Sequence, residues 1–481
     1  MEPVETREQP GHFKASFIDY VWFLIPSLLG VFLFISPIWQ SKVGEDGEVT
    51  REITLPVAWI ANWASGELTD FLPKLTLGIL LVSAVGSLIV KLAKPKRILD
   101  HPFWSSLFNV SWFWVGARTL GCLFGLMVFY EYGTVTLFQT DTEYVVDGGT
   151  GNFAFGELAT FLVVIFFFAG LFLPLLLDFG LLEFIGTLMS KIMRPLFKLP
   201  GRSAIDCVAS WVGDGTVGIL LTSKQYEAGF YTSREAAVVG TTFSFVSITF
   251  TIVVLSTVGI TDLFLQAYLT LVVAGLAAAV ICPRIPPLSW KPDTFFEGKP
   301  KRAEHKMPHG MGLFAWGVRR ATHRANQVEG VMPAAKLGVQ NVMDMWVGVV
   351  PVVVAMATVA AIVANFTPFF QWMGAPVVPV LKAMGIPEAE EAGYMFLIGF
   401  ADMLLPAIFA ADKIESEFTR FIIATVSCTQ LIYMSEVGSL LMGSKVPVKF
   451  WELVVIFVIR TMITLPIVVG MAYGMQWLGW M

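Results

Sequence analysis

Three carboxylates inside apolar stretches of this chain stand out as groups that could bind a cation, carry a proton or contact a polar solute: Asp214, Asp402 and Glu436. A charge near the centre of a bilayer costs on the order of 3 kcal/mol or more, so such groups usually face a cavity or a partner. Asp214 sits in Gly213-Asp214-Gly215, followed by Thr216, and Asp402 closes Gly399-Phe400-Ala401-Asp402. Either acid could ligate a cation or contact an amine or hydroxyl. Either could instead cap the first amides of the half-helix that follows it. For Glu436 the competing reading is a snorkelling or salt-bridged group near the end of its segment. A carboxylate desolvated by burial could carry a proton, whereas one hydrogen-bonded in its charged form could hold sodium or an amine.

Hydroxyl and amide groups gather near these acids. Ser244, Ser247 and Thr251 are spaced i, i+3, i+7, with Thr241 and Thr242 nearby, and Thr429, Tyr433 and Glu436 are spaced i, i+4, i+7, with Ser427, Gln430 and Ser435 alongside. The spacing predicts one polar face on each of two helices. The expected substrate-binding set is Asp214, Thr216, Ser244, Ser247, Asp402, Gln430, Tyr433 and Glu436. The expected ion-coupling set is Asp214, Ser427, Thr429, Ser435 and Glu436. Serine and threonine also pack membrane helices by bonding back to their own backbone, which is the alternative for the hydroxyls. Arg118 and Arg460 are intramembrane cations that could pair with Glu436 or an anionic substrate, or serve structure alone. Asp178, Glu183 and Asp344 fall near span ends and read as interfacial.

No metal site or cofactor is expected. The four cysteines, Cys122, Cys207, Cys282 and Cys428, have no metal-ligand spacing and read as small packed hydrophobes, and all five histidines lie outside the apolar spans. A phosphate-binding loop of the Walker type is absent as well, so any transport should draw on an ion gradient, Na+ or H+. The polar groups cluster at midplane depth instead of facing one interface, which argues against a membrane enzyme.

The elements that must position these groups follow from composition. The 481 residues are 56% hydrophobic and 14% charged, with mean hydropathy +0.70 and net charge -5. This is the composition of an all-α polytopic membrane protein, with the lipid bilayer as partner and no nucleic-acid polymer indicated. Spanning lengths occur at about 19–39, 72–93, 104–131, 155–181, 234–258, 261–282, 341–365, 414–443 and 450–478, which predicts about nine transmembrane helices. No cleavage site follows the polar start of the chain, so the first span is expected to remain as an anchor.

Loop charges set the orientation. Residues 94–103 are basic while 40–71 and 132–154 are acidic, which places the N-terminus in the cytoplasm, and the basic stretches 183–202 and 283–324 agree. Only two full spans lie between those last two loops, so residues 203–229 must enter and leave by one face. An arm of about 11 residues reaches roughly 16 Å, half of a 30 Å core, which puts the Gly-Asp-Gly turn near the midplane. By the same count residues 388–413 form a second re-entrant hairpin, with Pro406 early in its second arm.

The two halves overlay as a weak internal repeat. Pro195 to Lys198 with Gly201 matches Pro379 to Lys382 with Gly385, and Gly213 with Ser233-Arg234 matches Gly399 with Thr419-Arg420. Each unit reads as span, amphipathic interfacial helix, hairpin, span, span. Three crossings per unit make the second inverted relative to the first. The expected domains are a scaffold at 1–154, a first repeat at 155–282 with hairpin 203–229, a basic cytoplasmic linker at 283–340, and a second repeat at 341–481 with hairpin 388–413. Residues 311 to about 335 of the linker are expected to form an amphipathic helix on anionic lipid.

The run from Asp214 to Leu220, then Tyr226-Glu-Ala-Gly229, then Thr232-Ser-Arg-Glu-Ala236, resembles the nucleoside-recognition or Gate pattern, and the whole chain resembles a YjiH-type inner-membrane protein. Concentrative nucleoside transporters are distant members of that group. The resemblance implies a sodium- or proton-coupled symporter of a small polar solute, nucleoside-like or amino-acid/dipeptide-like, in the bacterial inner membrane, with its site between the hairpin tips and the following helices. It also implies a homo-oligomer. Gly213 to Thr216 stands where the nucleoside transporters carry a Gln-Thr-Glu cluster, so the substrate stays open. The alternative class is a non-transporting receptor or assembly subunit, for which some Gate proteins of sporulation give a precedent.

Overall fold

The computed structural model describes residues 15–36, 38–43, 49–131, 150–212, 215–243, 246, 248–298, 308, 311–328 and 330–480. Seven helices among these are long and apolar enough to cross a bilayer: Phe17–Phe34, Leu72–Ala93, Trp112–Phe129, Asn152–Leu177, Thr261–Trp290, Val331–Phe366 and Phe450–Trp477. The chain is a multi-pass membrane protein. Among the described residues the regular structure is helical apart from an antiparallel ribbon, Ile38–Val43 paired with Val49–Thr54, in a stretch expected to be a loop.

Two expected spans are not continuous. The stretch 234–258 divides into helices Ser233–Thr242 and Ile248–Thr257, and 414–443 divides into Glu417–Gln430 and Val437–Gly443. Neither piece of either pair has the length to span alone. Both hairpins are present as helix pairs. The first is Ser203–Val212 followed by Gly215–Glu227, with residues 213 and 214 outside the described set. The second arrives through short helices Ala389–Ala392 and Met395–Ile398, leaves the helix over 399–404 and returns as Leu405–Lys413. Pro406 lies in the first turn of that last helix, where its missing N–H has no intrahelical partner to lose.

The expected amphipathic linker helix is shorter than anticipated. It runs Leu313–Asn326, and a new helix starting at Val331 continues into the span expected to begin at 341. Each half thus presents the same element order: a long helix, amphipathic or short helices, a hairpin, an interrupted helix and a closing long helix.

Close backbone crossings hold these elements together. A β-carbon on Gly170 would lie 2.9 Å from the Val342 nitrogen, and one on Gly338 would lie 2.7 Å from the Leu171 carbonyl oxygen. Only glycine lets helices Asn152–Leu177 and Val331–Phe366 approach so closely, the usual route to tight packing where lipid offers no hydrophobic drive. Trp346 Nε1 donates to the Val163 carbonyl across the same crossing at 2.8 Å. Trp112–Phe129 docks on Val350–Phe366 in the same manner, with Gly121 against the Pro351 carbonyl.

Candidate binding site at two interrupted helices

The second interrupted helix starts conventionally, with the Ser416 hydroxyl accepting from the Thr419 amide at 3.3 Å. It ends at Gln430 because Leu431 takes a left-handed conformation, φ 62°. A side chain there costs about 1–2 kcal/mol, so the tertiary structure must hold the turn in place. That hold is visible in the backbone. The Met434 amide donates to the Phe400 carbonyl at 2.7 Å and the Ser435 amide to the Ala401 carbonyl at 2.9 Å. The unwound stretch 431–436 and the turn of the second hairpin therefore satisfy each other's main chain, as backbone buried away from water must do.

Side chains complete the joint. Asp402 Oδ1 accepts from the Leu404 amide at 2.7 Å, and Ser435 stands beside the same carboxylate. Asp402 is thus both a turn cap and a contact to the interrupted helix. Gln430 Nε2 donates to the Phe396 carbonyl at 2.6 Å and to Thr461 Oγ1 at 2.8 Å. Its Oε1 lies against Gly399, where a β-carbon would sit 2.4 Å away. Glycine is required there by the approach of the amide.

Arg460, fully buried in Phe450–Trp477, connects this joint to the first half. Its Nε and Nη2 donate to the Thr429 carbonyl at 3.2 and 2.8 Å, and its Nη1 donates to the Thr242 carbonyl at 3.2 Å. Thr242 is the last residue of Ser233–Thr242 and Thr429 is in the last turn of Glu417–Gln430. Helix C-termini carry carbonyls without partners and a partial negative charge, and one guanidinium serves both. The first hairpin reaches the same place: a β-carbon on Gly215 would lie 3.3 Å from the Val437 side chain, at the start of Val437–Gly443.

The first hairpin has its own clasp. Asp206, in the first arm and 1% exposed, accepts from Thr222 Oγ1 at 3.0 Å, Gln225 Nε2 at 2.5 Å and the Tyr231 hydroxyl at 2.9 Å. Three donors from the second arm and the following turn thus converge on one carboxylate. Lys224, one residue from Gln225, pairs with Asp344 of the long helix Val331–Phe366 and with Glu227 at 3.3 Å. These charges line a cavity of about 110 Å3 that Arg118 also faces. Arg118 donates to Ser87 Oγ at 2.7 Å and the Leu107 carbonyl at 2.8 Å. The other acids read as interfacial are paired too, Asp178 with Arg324 at 2.6 Å and Glu183 with Arg202 at 2.9 Å.

The structure brings Asp402, Gln430, Tyr433, Ser435 and Glu436 together at the second joint, with Ser427 and Thr429 in the helix turn leading to it. Thr216 is buried in the first turn of Gly215–Glu227. Asp214, Ser244 and Ser247 lie outside the described residues. The single helical face expected for Thr429, Tyr433 and Glu436 does not exist: Thr429 is in the last turn of one helix, Tyr433 is in the unwound stretch and Glu436 precedes the next helix. The face expected for Ser244, Ser247 and Thr251 falls mostly outside the described residues. Ser427 and Thr429 hydroxyls donate to the carbonyls of Ala424 and Val426, both at 2.8 Å. Asp206, Gln225 and Lys224 were missed. The rule that singled out Asp214 applies equally to Asp206, eight residues before it, and would have found the clasp.

Residues 159–261 match the family model Gate, described as nucleoside recognition. This range holds most of the first hairpin's surroundings and the first interrupted helix. The chain is 48% identical over 451 residues, 94% of each chain, to an uncharacterized protein of Alkalihalophilus pseudofirmus, and it belongs to the same family. Among solved structures it is similar to CNTnw, a concentrative nucleoside transporter, in an inward-facing substrate-bound state, at 13% identity and TM-score 0.34 over 85% of this chain and 99% of that one. A variant of CNTnw in an outward-facing state aligns at 12% identity and TM-score 0.33 over 87% and 98%.

Proposed function

We propose that this protein is a secondary transporter of a small polar organic solute, worked by alternating access around a site between the two interrupted helices and the two hairpin turns. The observation that carries this reading is the joint itself. Unwound backbone at 431–436 meets the hairpin turn at 400–401, and Arg460 ties the ends of both interrupted helices together. Non-helical backbone is tolerated inside a membrane where it builds a cavity or a site, and discontinuous helices are the usual architecture of midplane binding in transporters. Counting each interrupted pair as one crossing gives nine spans, with an inverted second unit and a cytoplasmic N-terminus.

Tyr433, Ser435, Glu436, Asp402, Asp214, Thr216, Ser244 and Ser247 are assigned to solute binding, and Gln430 to positioning the hairpin turn. The solute is nucleoside-like or amino-acid/dipeptide-like, and the description of the matched Gate model puts nucleosides first in a screen. Coupling is to sodium or protons through Asp214, Glu436 and the hydroxyls of Ser427, Thr429 and Ser435. Arg460 favours the proton of the two. It places a fixed positive charge on helix-terminal carbonyls of the kind that hold sodium in other interrupted helices.

The test is uptake into proteoliposomes under a pH gradient and, separately, a sodium gradient, after a thermal-shift screen of nucleosides, amino acids, dipeptides and polyamines has found a ligand. Gradient-driven uptake lost in Asp214→Asn or Glu436→Gln supports the proposal. Ligand binding without uptake under either gradient would replace it with a receptor role.

A further inference from the structure

A second site lies away from the joint. A cavity of about 760 Å3 opens between the amphipathic helix Leu181–Phe197, the entry to the first hairpin and the linker helix Leu313–Asn326. Six cations line it: Lys191, Arg194, Lys198, Arg202, Arg234 and Arg320. Its three acids are already engaged. Glu183 pairs with Arg202 at 2.9 Å, Asp293 with Arg234 at 3.4 Å, and Glu235 accepts from the Thr232 amide at 2.8 Å as part of a helix cap. The lining therefore carries three positive charges in excess of its acids.

The walls are held in place. Arg320 Nη1 donates to Thr187 Oγ1 at 3.1 Å, which fixes one helix on the other, and the Arg202 guanidinium stacks 3.4 Å over the Phe230 ring. The helix that carries Lys191 and Arg194 also exposes two apolar side chains, Ile192 and Leu196. Guanidinium groups match phosphate oxygens through paired hydrogen bonds, and the volume falls within the range of ligand pockets.

We propose that this cavity is a binding site for a phosphate-bearing anion, supplied by a phospholipid headgroup or by a free phosphate ester. Exposed Ile192 and Leu196 on the helix that carries Lys191 and Arg194 give apolar surface near the cations, which suits a lipid. The site is independent of the transport reading, since it shares no residue with the joint.

The experiment measures binding of short-chain phosphatidylglycerol, phosphatidylcholine and glycerol 3-phosphate to the purified full chain in detergent, by native mass spectrometry and thermal shift. The variants are Lys191→Gln with Lys198→Gln, and Lys96→Gln with Arg97→Gln as a basic control outside the cavity. Phosphatidylglycerol should bind in preference to phosphatidylcholine, weaken roughly thirtyfold in the first pair and stay within about twofold in the control. Glycerol 3-phosphate binding as tightly, with the same loss, would identify the free ester as the source. Equal binding of the two lipids without ester binding, no binding at all, or unchanged binding in the first pair would overturn the site. Arg320→Gln, on the facing wall, serves if the first pair misfolds.

Discussion

Arg460 donates through two nitrogens to the carbonyl oxygen of Thr429, the nearer at 2.8 Å, and its third nitrogen reaches the equivalent end of the other interrupted helix at Thr242. A hydrogen bond to a charged group contributes about 1.5–3 kcal/mol, and an unsatisfied carbonyl in a membrane costs several more. Arg460→Met should therefore destabilise the protein by about 3 kcal/mol or more. Arg460→Lys, which lacks the planar fork, should keep one contact and lose less. Melting in detergent and hydrogen exchange over 243–248 and 431–436 test this. Wild-type melting with unchanged exchange in Arg460→Met would show that the bridge is dispensable.

Gly399 and Gln430 are coupled by contact. A methyl group on Gly399 would meet Gln430 Oε1 at 2.4 Å, and the amide cannot swing away without releasing Phe396 and Thr461. Gly399→Ala alone should cost about 1–3 kcal/mol. Combined with Gln430→Ala it should cost less than the sum of the two, with a coupling of about 1 kcal/mol. Simple additivity in the melting data would place the methyl group elsewhere.

The clasp on Asp206 makes a graded prediction. Asp206→Asn converts an acceptor of three donors into a group that also donates toward Tyr231 or Thr222, and it should lower stability by about 2 kcal/mol. Thr222→Val removes one of the three and should cost about 1 kcal/mol. Limited proteolysis of the first hairpin should follow the same order. A larger effect in Thr222→Val would contradict the central place of the carboxylate.

Lys224 and Asp344 join the first hairpin to the long helix of the second half. Removing one partner strands the other beside residual charge, so Lys224→Met should destabilise by about 2–3 kcal/mol. The double change Lys224→Met with Asp344→Leu should recover much of that loss. Should the double variant prove less stable than the single, the pair contributes attraction beyond mutual neutralisation.

Much of this arrangement was legible in the sequence because it follows from length and charge. Loop charges required residues 203–229 and 388–413 to be hairpins, and the structure has a helix pair at each. Gly399 to Asp402 marked the second turn, since glycine and an acid interrupt an apolar run there. The break after Gln430 had no such mark. Residues 427–436, Ser-Cys-Thr-Gln-Leu-Ile-Tyr-Met-Ser-Glu, contain neither glycine nor proline, and the helix ends there because Phe400 and Ala401 take the amides of Met434 and Ser435. That cause lies some 30 residues away along the chain, beyond the reach of local pattern. Arg460 was visible as an intramembrane cation, but its partners are main-chain carbonyls that leave no trace in residue identity.

The joint between the second hairpin and the interrupted helix is made from main chain, through Met434 to Phe400 and Ser435 to Ala401. Peptide groups are common to all residues except for proline's missing N–H, so this seam survives when the side chains around it are exchanged. Tyr433 and Glu436 stand on it without forming those two bonds. On the proposed reading, a lineage could thus alter which solute is selected by substitution at these positions while the framework stays fixed, separating the evolution of selectivity from the inheritance of architecture.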